Sequence, residues 1–366
     1  MAEAPAPTGL PVEAAIPDLK AALREAGRAV LVAPPGAGKT TLVPPALLRE
    51  PWAGGRRIVM LEPRRLAARA AAERIAELLG AAVGGLVGYS MRGETKTSPE
   101  TRIEVVTEGV LTRRLQADPS LDGVAALIFD EFHERSIHAD LGLALAWEAR
   151  GALREDLRLL VMSATLDAAP VAKLLDDAPV VRSEGRAHPV ETRWLDAPWR
   201  GGGARARLED AAAELVRRAH GEERGDVLVF LPGAAEIRRV ARALEGIDPA
   251  TDVRPLFGAM AFREQRAALA PAAPGRRKIV LATAIAETSL TVEGVRVVVD
   301  AGLARRARFD PASGMSRLVT ERASRAEADQ RRGRAGRLEP GVCYRLWTKA
   351  EEGAAPAFAP PEIETA

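Results

Sequence analysis

What most constrains the fold of this chain is a set of short segments that are apolar on both faces and alternate with helix-like stretches. "AVLVA" (29–33), "AALIFD" (125–130) and "LRLLVMS" (157–163) contain almost no polar residue at alternate positions. A strand with one wet face would show that alternation, so these read as parallel strands covered by helices on each side. The pattern predicts strands at 28–33, 57–62, 102–107, 124–130 and 157–163, with helices at 65–79 and 139–150 between them. From 180 the chain turns polar and irregular ("VVRSEGRAHPVETRWL"), as a connector between domains would. Strand-like runs then resume at 226–231, 278–283, 296–300 and 342–347, with helices at 209–220 and 234–244. The expected fold is α/β: two tandem doubly wound parallel-sheet domains, at 1–182 and 183–350, followed by a tail at 351–366.

With 366 residues, the chain has room for two domains that each bury their own core. Hydrophobic residues make up 47% and aromatics only 4%, so the cores must be built of Ala, Leu and Val rather than rings. The 52 basic and 50 acidic residues leave a net charge of +2, so a nucleic-acid surface would have to be a local patch. Cys343, the one cysteine, lies in the apolar run "VCYRLW" and reads as a small buried residue. The N-terminal stretch lacks a basic region followed by an apolar one, and no uncharged apolar segment approaches a membrane span. The expected setting is the reducing cytoplasm.

The first strand runs directly into "PPGAGKTT" (34–41). A glycine-rich turn between strand and helix, followed by Lys and Thr, is a phosphate cradle. The loop Pro35, Gly36, Ala37, Gly38, Lys39, Thr40 and Thr41 would bind ATP, the backbone N–H groups after Pro35 and the helix N-terminus holding its phosphates. Lys39 would reach the β- and γ-phosphates and the Thr40 hydroxyl would bind Mg²⁺. Ala33 stands where the usual pattern opens with glycine, which is tolerable if Gly36 and Gly38 make the turn. "ALIFDEFHER" ends another all-apolar strand on two carboxylates. Asp130 would hold Mg²⁺, and Glu131, beside the same ion, would polarise the attacking water. His133, Glu134 and His138 do not form a zinc-protease motif, because the two histidines are five residues apart instead of four and leave the shared helix face.

Far along the second half, "QRRGRAGR" (330–337) places guanidinium groups four and seven positions after Gln330. Such groups can act as arginine fingers on a γ-phosphate, worth roughly 10³–10⁵ in rate. Hydrolysis would then depend on the second domain and be coupled to domain motion.

Together these stretches resemble the core of superfamily 2 helicases of the DEAH type. The family's motifs follow in order: "APPGAGKT", "EPRRLAAR", "TEGVL", "DEFH", "SAT", "VFLPG", "ATAIAETSLT" and "QRRGRAGR". "DEFHER" and "EPRR" point to the bacterial HrpB-type branch. The resemblance implies two RecA-like domains of the P-loop NTPase helicase core, a motif set I–III in the first and IV–VI in the second. It implies that Lys39, Thr40, Asp130 and Glu131 have the roles derived above, and that His133 links to Gln330, which helps position the water. Arg334 and Arg337 would be the fingers, and Arg74 would stack on the base. Leu269 stands where relatives often place an aromatic residue against the base, so nucleotides other than ATP should be accepted. Arg64, Arg65, Thr107 and Thr283 would contact the backbone of single-stranded RNA, with DNA as the alternative track and 3′→5′ as the inherited polarity. Ala284 departs from the family, where Asn is usual.

Residues 302–321 read as a hairpin, whose Arg305, Arg306 and Arg308 could equally meet RNA or carry solvated charge. The chain ends within about thirty residues of the last motif, where relatives continue into further domains. It therefore reads as a helicase core cut short, expected to be a monomer that binds RNA weakly and unwinds poorly. Two rival classes fit the sequence less well. A GTPase or small-molecule kinase would need a guanine-reading loop or an acceptor domain, and neither is visible. An inactive RNA-binding scaffold predicts damage at Lys39, Asp130, Glu131, Arg334 or Arg337, and all are intact.

Overall fold

The computed structural model describes residues 7–164, 168–185, 188–199, 207–287, 292–310, 313–337 and 339–364. The chain divides into two compact units, Met1–Arg186 with Pro361–Ile363, and Ala187–Pro360 with Glu364–Ala366.

In the first unit the strands are β1 (Arg28–Val32), β2 (Arg57–Glu62), β3 (Val87–Met91), β4 (Glu94–Lys96), β5 (Ile103–Thr107), β6 (Val124–Phe129), β7 (Arg158–Ser163) and β8 (Val180–Arg182). They form one sheet in the order β4-β3-β5-β2-β6-β7-β1-β8. Every pairing is parallel except the edge hairpin β3–β4. The helices are α1 (Ile16–Glu25), α2 (Lys39–Leu47), α3 (Arg65–Leu78), α4 (Glu108–Ala117), α5 (Ile137–Ala152) and α6 (Ala169–Leu174). Alternate residues of one strand feed two separate cores, as the strict period of two demands. Leu31 of β1 and Met60 of β2 pack with Leu23, Leu42 and Ile75 of α1, α2 and α3. Val32 and Leu61 point the other way, against Leu111 of α4 and Leu143 of α5. That two-sided burial is why these strands read as unbroken apolar runs.

The second unit holds β9 (Val190–Arg193), β10 (Asp226–Phe230), β11 (Thr251–Leu256), β12 (Arg277–Ala282), β13 (Val295–Asp300), β14 (Leu303–Asp310), β15 (Met315–Arg322) and β16 (Gly341–Arg345). Six of them form a parallel sheet in the order β11-β12-β10-β13-β16-β9. Its helices are α7 (Leu208–Glu222), α8 (Ala234–Ala243), α9 (Phe262–Leu269), α10 (Arg325–Arg332) and α11 (Lys349–Gly353). Val227 and Val229 of β10 pack with α7 and α8 through Val216 and Ile237, while Leu228 and Phe230 pack with Ala268 of α9 on the opposite face. Each unit is thus a RecA-like doubly wound α/β domain.

β14 and β15 form an antiparallel hairpin apart from the sheet, with Arg308 opposite Arg317. Cys343 is fully buried in β16, and burial pushes its thiol up to about 12. It is a packing residue. Among the described residues no helix is long and apolar enough to cross a membrane.

Candidate nucleotide site and nucleic-acid track

The loop after β1 is shaped by its glycines. Gly36 and Gly38 take φ of +84° and +91°, a region that L side chains avoid. A Cβ on Gly38 would lie 2.8 Å from Leu10 Cδ1, so a side chain there would be strained by φ and would also have to displace Leu10. Gly38 caps α2, and Lys39 and Thr40 are that helix's first two residues. The Ala33 amide donates to Ser163 O (3.0 Å), fastening the loop's base to the end of β7. Within the loop, the Ala37 amide bonds to Pro34 O (3.2 Å), and the Thr41 amide to Gly38 O (3.2 Å). Pro35 lies in the same turn.

β6 lies one strand beyond β7 and delivers the carboxylates. The Asp130 amide donates to Leu61 O (3.0 Å), and Asp130 Oδ1 accepts from the Glu131 amide at 2.8 Å. Glu131 has φ of +50°, which swings the chain off the strand and into the one-turn helix Phe132–Glu134. Two contacts join loop and carboxylates across β7. The Thr40 hydroxyl donates to Asp130 Oδ2 at 2.5 Å, and Lys39 Nζ donates to Glu131 Oε1 at 2.9 Å. His133 Nδ1 accepts from the Ala164 amide (3.3 Å), and its Nε2 faces Glu131 Oε2 at 3.4 Å. Thr165, third residue of "SAT", lies outside the described residues.

The cluster contains a residue that the sequence reading missed. Glu62, the last residue of β2, is fully buried beside Asp130 and Glu131. Three carboxyl groups therefore gather around one ammonium in a buried site. Burial, then Asp130 and Glu131, pushes the Glu62 carboxyl well above the usual range. Burial also raises Asp130, against the pull of Lys39. Burial works against the charge on Lys39, but Glu131 and Asp130 outweigh it and hold the ammonium above its ordinary value. Burial lowers His133, keeping the imidazole neutral near pH 7. The signal for Glu62 was a carboxylate closing the run "IVMLE", which reads equally well as a wet strand end.

The remaining expected residues of this unit sit on the same carboxyl-terminal edge of the sheet, except one. Arg64 caps α3, Arg65 is its first residue, and Thr107 ends β5 and caps α4. Arg64 Nη2 pairs with Glu134 Oε2 at 3.1 Å, and Arg65 lies 3.8 Å from Glu94. Arg74 stands further along α3, exposed, with its guanidinium on Glu77 at 2.6 Å.

In the second unit, Thr283 follows β12 and its amide donates to Leu256 O at 3.2 Å. Residues 288–291 of "ATAIAETSLT" lie outside the described residues. Leu269 ends α9 and packs against the unit's core. α10 is started by a capping box between Ser324 and Glu327 and carries Gln330, half-buried, in its last turn. Beyond it the chain coils tightly through Arg334 and Arg337. Arg334 is buried and donates to the Glu287 carbonyl. Gly336 allows the first residues of the sheet's edge to approach, because a Cβ there would lie 2.6 Å from His188 O. The hub of this region is Arg331, another residue missed from the sequence. It is 1% exposed, with Nε 3.1 Å from Glu287 Oε2, Nη1 2.9 Å from Asp300 Oδ1, and its plane over the Phe230 ring. Asp300 and Glu287 outweigh its burial and lock it charged. Arg306 and Arg308 of the hairpin pair with Glu327 and Glu321 at 2.5 and 2.6 Å, and Arg305 faces Glu236 at 3.5 Å.

Two RecA-like domains carrying a phosphate loop, paired carboxylates and an arginine-rich motif define a helicase core. Residues 13–174 match the DEAD/DEAH box helicase family, and residues 208–339 match the helicase conserved C-terminal domain. The chain belongs to the DEAD/DEAH box helicases. It is 51% identical, over 97% of its length, to the ATP-dependent RNA helicase HrpB of Escherichia coli. Human DHX33, named an ATP-dependent RNA helicase, is 36% identical over 97% of the chain. The crystal structure of the E. coli DEAH/RHA helicase HrpB superposes with a TM-score of 0.92 at 50% identity over 98% of the chain. The chain spans 43% of the E. coli relative and 51% of the human one.

Proposed function

We propose that this chain is the motor core of an ATP-dependent RNA helicase, hydrolysing ATP and coupling turnover to movement along single-stranded RNA, 3′→5′. The observation that carries the reading is the convergence of Lys39 and Thr40 with Asp130 and Glu131 across β7. Residues 35–41 would cradle the phosphates, through the backbone N–H groups of 36–41 and the start of α2. The donor set suits a hard cation: a hydroxyl and a carboxylate oxygen meet, and buried negative charge exceeds positive. Thr40 and Asp130, with Glu131 beside them, would hold Mg²⁺, which neutralises phosphate charge. Among the described residues no group of three or more His, Cys, Asp or Glu could hold a metal alone, in keeping with an ion that keeps water and phosphate ligands.

Lys39 would leave Glu131 for the γ-phosphate, freeing that carboxylate to orient water and accept its proton. His133 and Gln330 would complete the water's surroundings, and Arg334 and Arg337 would stabilise the charge that develops. For Arg334 this requires leaving the Glu287 carbonyl, so turnover depends on rearrangement in the second unit. Arg74 would stack on the base, and Leu269, standing where relatives often have an aromatic residue, would leave the base loosely held, so other nucleoside triphosphates serve as well. Arg64, Arg65, Thr107 and Thr283 would form the phosphate track, with single-stranded DNA as the alternative occupant. Domain limits of 1–182 and 183–350, a monomeric state and a cytoplasmic setting complete the reading.

The test is phosphate release with and without single-stranded RNA. Stimulation by RNA supports a helicase motor; release indifferent to RNA favours an ordinary NTPase. Strand displacement by this chain alone should be slow, and processive unwinding would overturn that part of the reading.

A further inference from the structure

Arg64 and Glu134 join two elements that the proposed function treats separately, the nucleic-acid track and the catalytic turn. β2 and β6 are adjacent parallel strands, with Leu61 opposite Phe129. Three residues past Leu61, Arg64 caps α3, and Ala68 N bonds to its carbonyl at 2.9 Å. Five residues past Phe129, Glu134 closes the one-turn helix that follows Glu131. That turn is stiff. Glu131 and Arg135, flanking it, both have φ of +50°. The Glu134 amide donates to Glu131 O at 3.0 Å and the Arg135 amide to Phe132 O at 3.1 Å. Phe132 is buried edge-on to Phe129, with ring centroids 6.4 Å apart. Arg135 lies over the Phe132 ring and pairs with Asp140 at 2.9 Å. Glu134 is thus carried by the same short turn whose backbone carries Glu131 and His133.

We infer that Glu134 is a positioning residue: its 3.1 Å ion pair with Arg64 passes engagement of RNA phosphate to the turn that bears the hydrolytic carboxylate. The two side chains are 27% and 21% exposed, so the pair is open on one side. A guanidinium is a planar fork of N–H donors that suits carboxylate and phosphate alike, so a phosphate arriving at Arg64 competes for the group that Glu134 holds. Pulling Arg64 toward RNA then pulls Glu134, and with it the turn. The inference rests on Arg64 meeting RNA.

The experiment compares wild type, Glu134→Gln, Arg64→Gln and the double variant for RNA binding and for phosphate release with and without RNA. In Glu134→Gln the RNA-free rate should stay at the wild-type value, and RNA should bind equally or more tightly, since one negative charge beside the track is gone. The RNA-stimulated maximum should fall roughly three- to five-fold, the ratio that a partly exposed ion pair commands. The double variant should fall no further than Arg64→Gln alone. Glu134→Asp, which keeps the charge, should recover part of the stimulation, and it carries the test if Glu134→Gln does not fold. An unchanged maximum, or additive losses, overturns the inference while leaving the helicase reading intact. Absence of RNA stimulation in the wild type removes the helicase reading, and the inference with it.

Discussion

Lys39 Nζ and Glu131 Oε1 lie 2.9 Å apart, with neither side chain more than 5% exposed. The residue expected to grip phosphate and the one expected to activate water hold each other, in a pocket that also buries Asp130 and Glu62. A buried ammonium ringed by three carboxyl groups is stable only because each part offsets another.

Lys39→Ala should therefore do more than abolish nucleotide binding. It strips the ammonium from the cluster, and loss of one partner of a buried pair costs on the order of 3 kcal/mol. Glu62 and Asp130 can relieve this by taking up protons, because their folded values lie above the unfolded ones. Proton uptake favours the folded state at low pH, so the loss in melting temperature should be greater at pH 8 than at pH 6. Equal losses at both pH values would show that the carboxyls are not what Lys39 offsets.

Glu108 offers a second pH test away from the nucleotide. It opens α4, and its Oε1 accepts from the Ser136 hydroxyl at 2.5 Å. Burial raises its carboxyl to about 7, with Glu134 and Glu362 adding to the rise while Ser136 and Arg64 oppose it. A carboxyl raised in the folded state binds its proton more tightly there than when unfolded. Its contribution is thus complete below the unfolded value near 4.5 and disappears as pH climbs to about 7. Wild type should lose up to about 3 kcal/mol across that window from this group. Glu108→Gln should flatten the slope, as read by denaturant midpoints from pH 4.5 to 8. An unaltered slope in the variant would remove Glu108 as its source.

Arg331→Lys keeps a charge but cannot reach Glu287 and Asp300 together, since a point charge replaces a fork. The second unit should lose about 3 kcal/mol, seen as a lower melting transition and faster proteolysis between 287 and 337. Wild-type stability in Arg331→Lys would mean that the two carboxylates do not depend on the bridge.

Gly336→Ala should detach β9 from β16. The added methyl would lie 2.6 Å from the His188 carbonyl and from Val190 Cγ2, and backbone cannot yield as a side chain can. The expected cost is about 1–3 kcal/mol, measured by denaturation. A neutral substitution would show that the edge strand moves freely.

Much of this was legible because the central strands are buried on both faces. The expected strands at 28–33, 57–62 and 124–130 became β1, β2 and β6 to within a residue. Strands that broke the apolar run were missed. β3 is buried throughout yet contains Gly88 and Ser90, and β11 is an edge strand with Pro255 and alternating polar residues. Lys39 and Thr40, read from one motif, contact Glu131 and Asp130, read from another. Glu62 and Arg331 were invisible for one reason: charge in a sequence reads as solvent-facing until its partners are known. The hairpin arginines were left between two readings, and their pairing with Glu236, Glu321 and Glu327 shows charge already matched within the unit.

The most direct test of the account is phosphate release by wild type and Glu131→Gln in saturating single-stranded RNA, at nucleotide concentrations where both are shown to be loaded. Gln keeps the shape but cannot accept a proton, so the rate should fall by about 10²-fold or more. A variant that binds nucleotide and still releases phosphate at the wild-type rate would contradict the assignment of hydrolysis to this site.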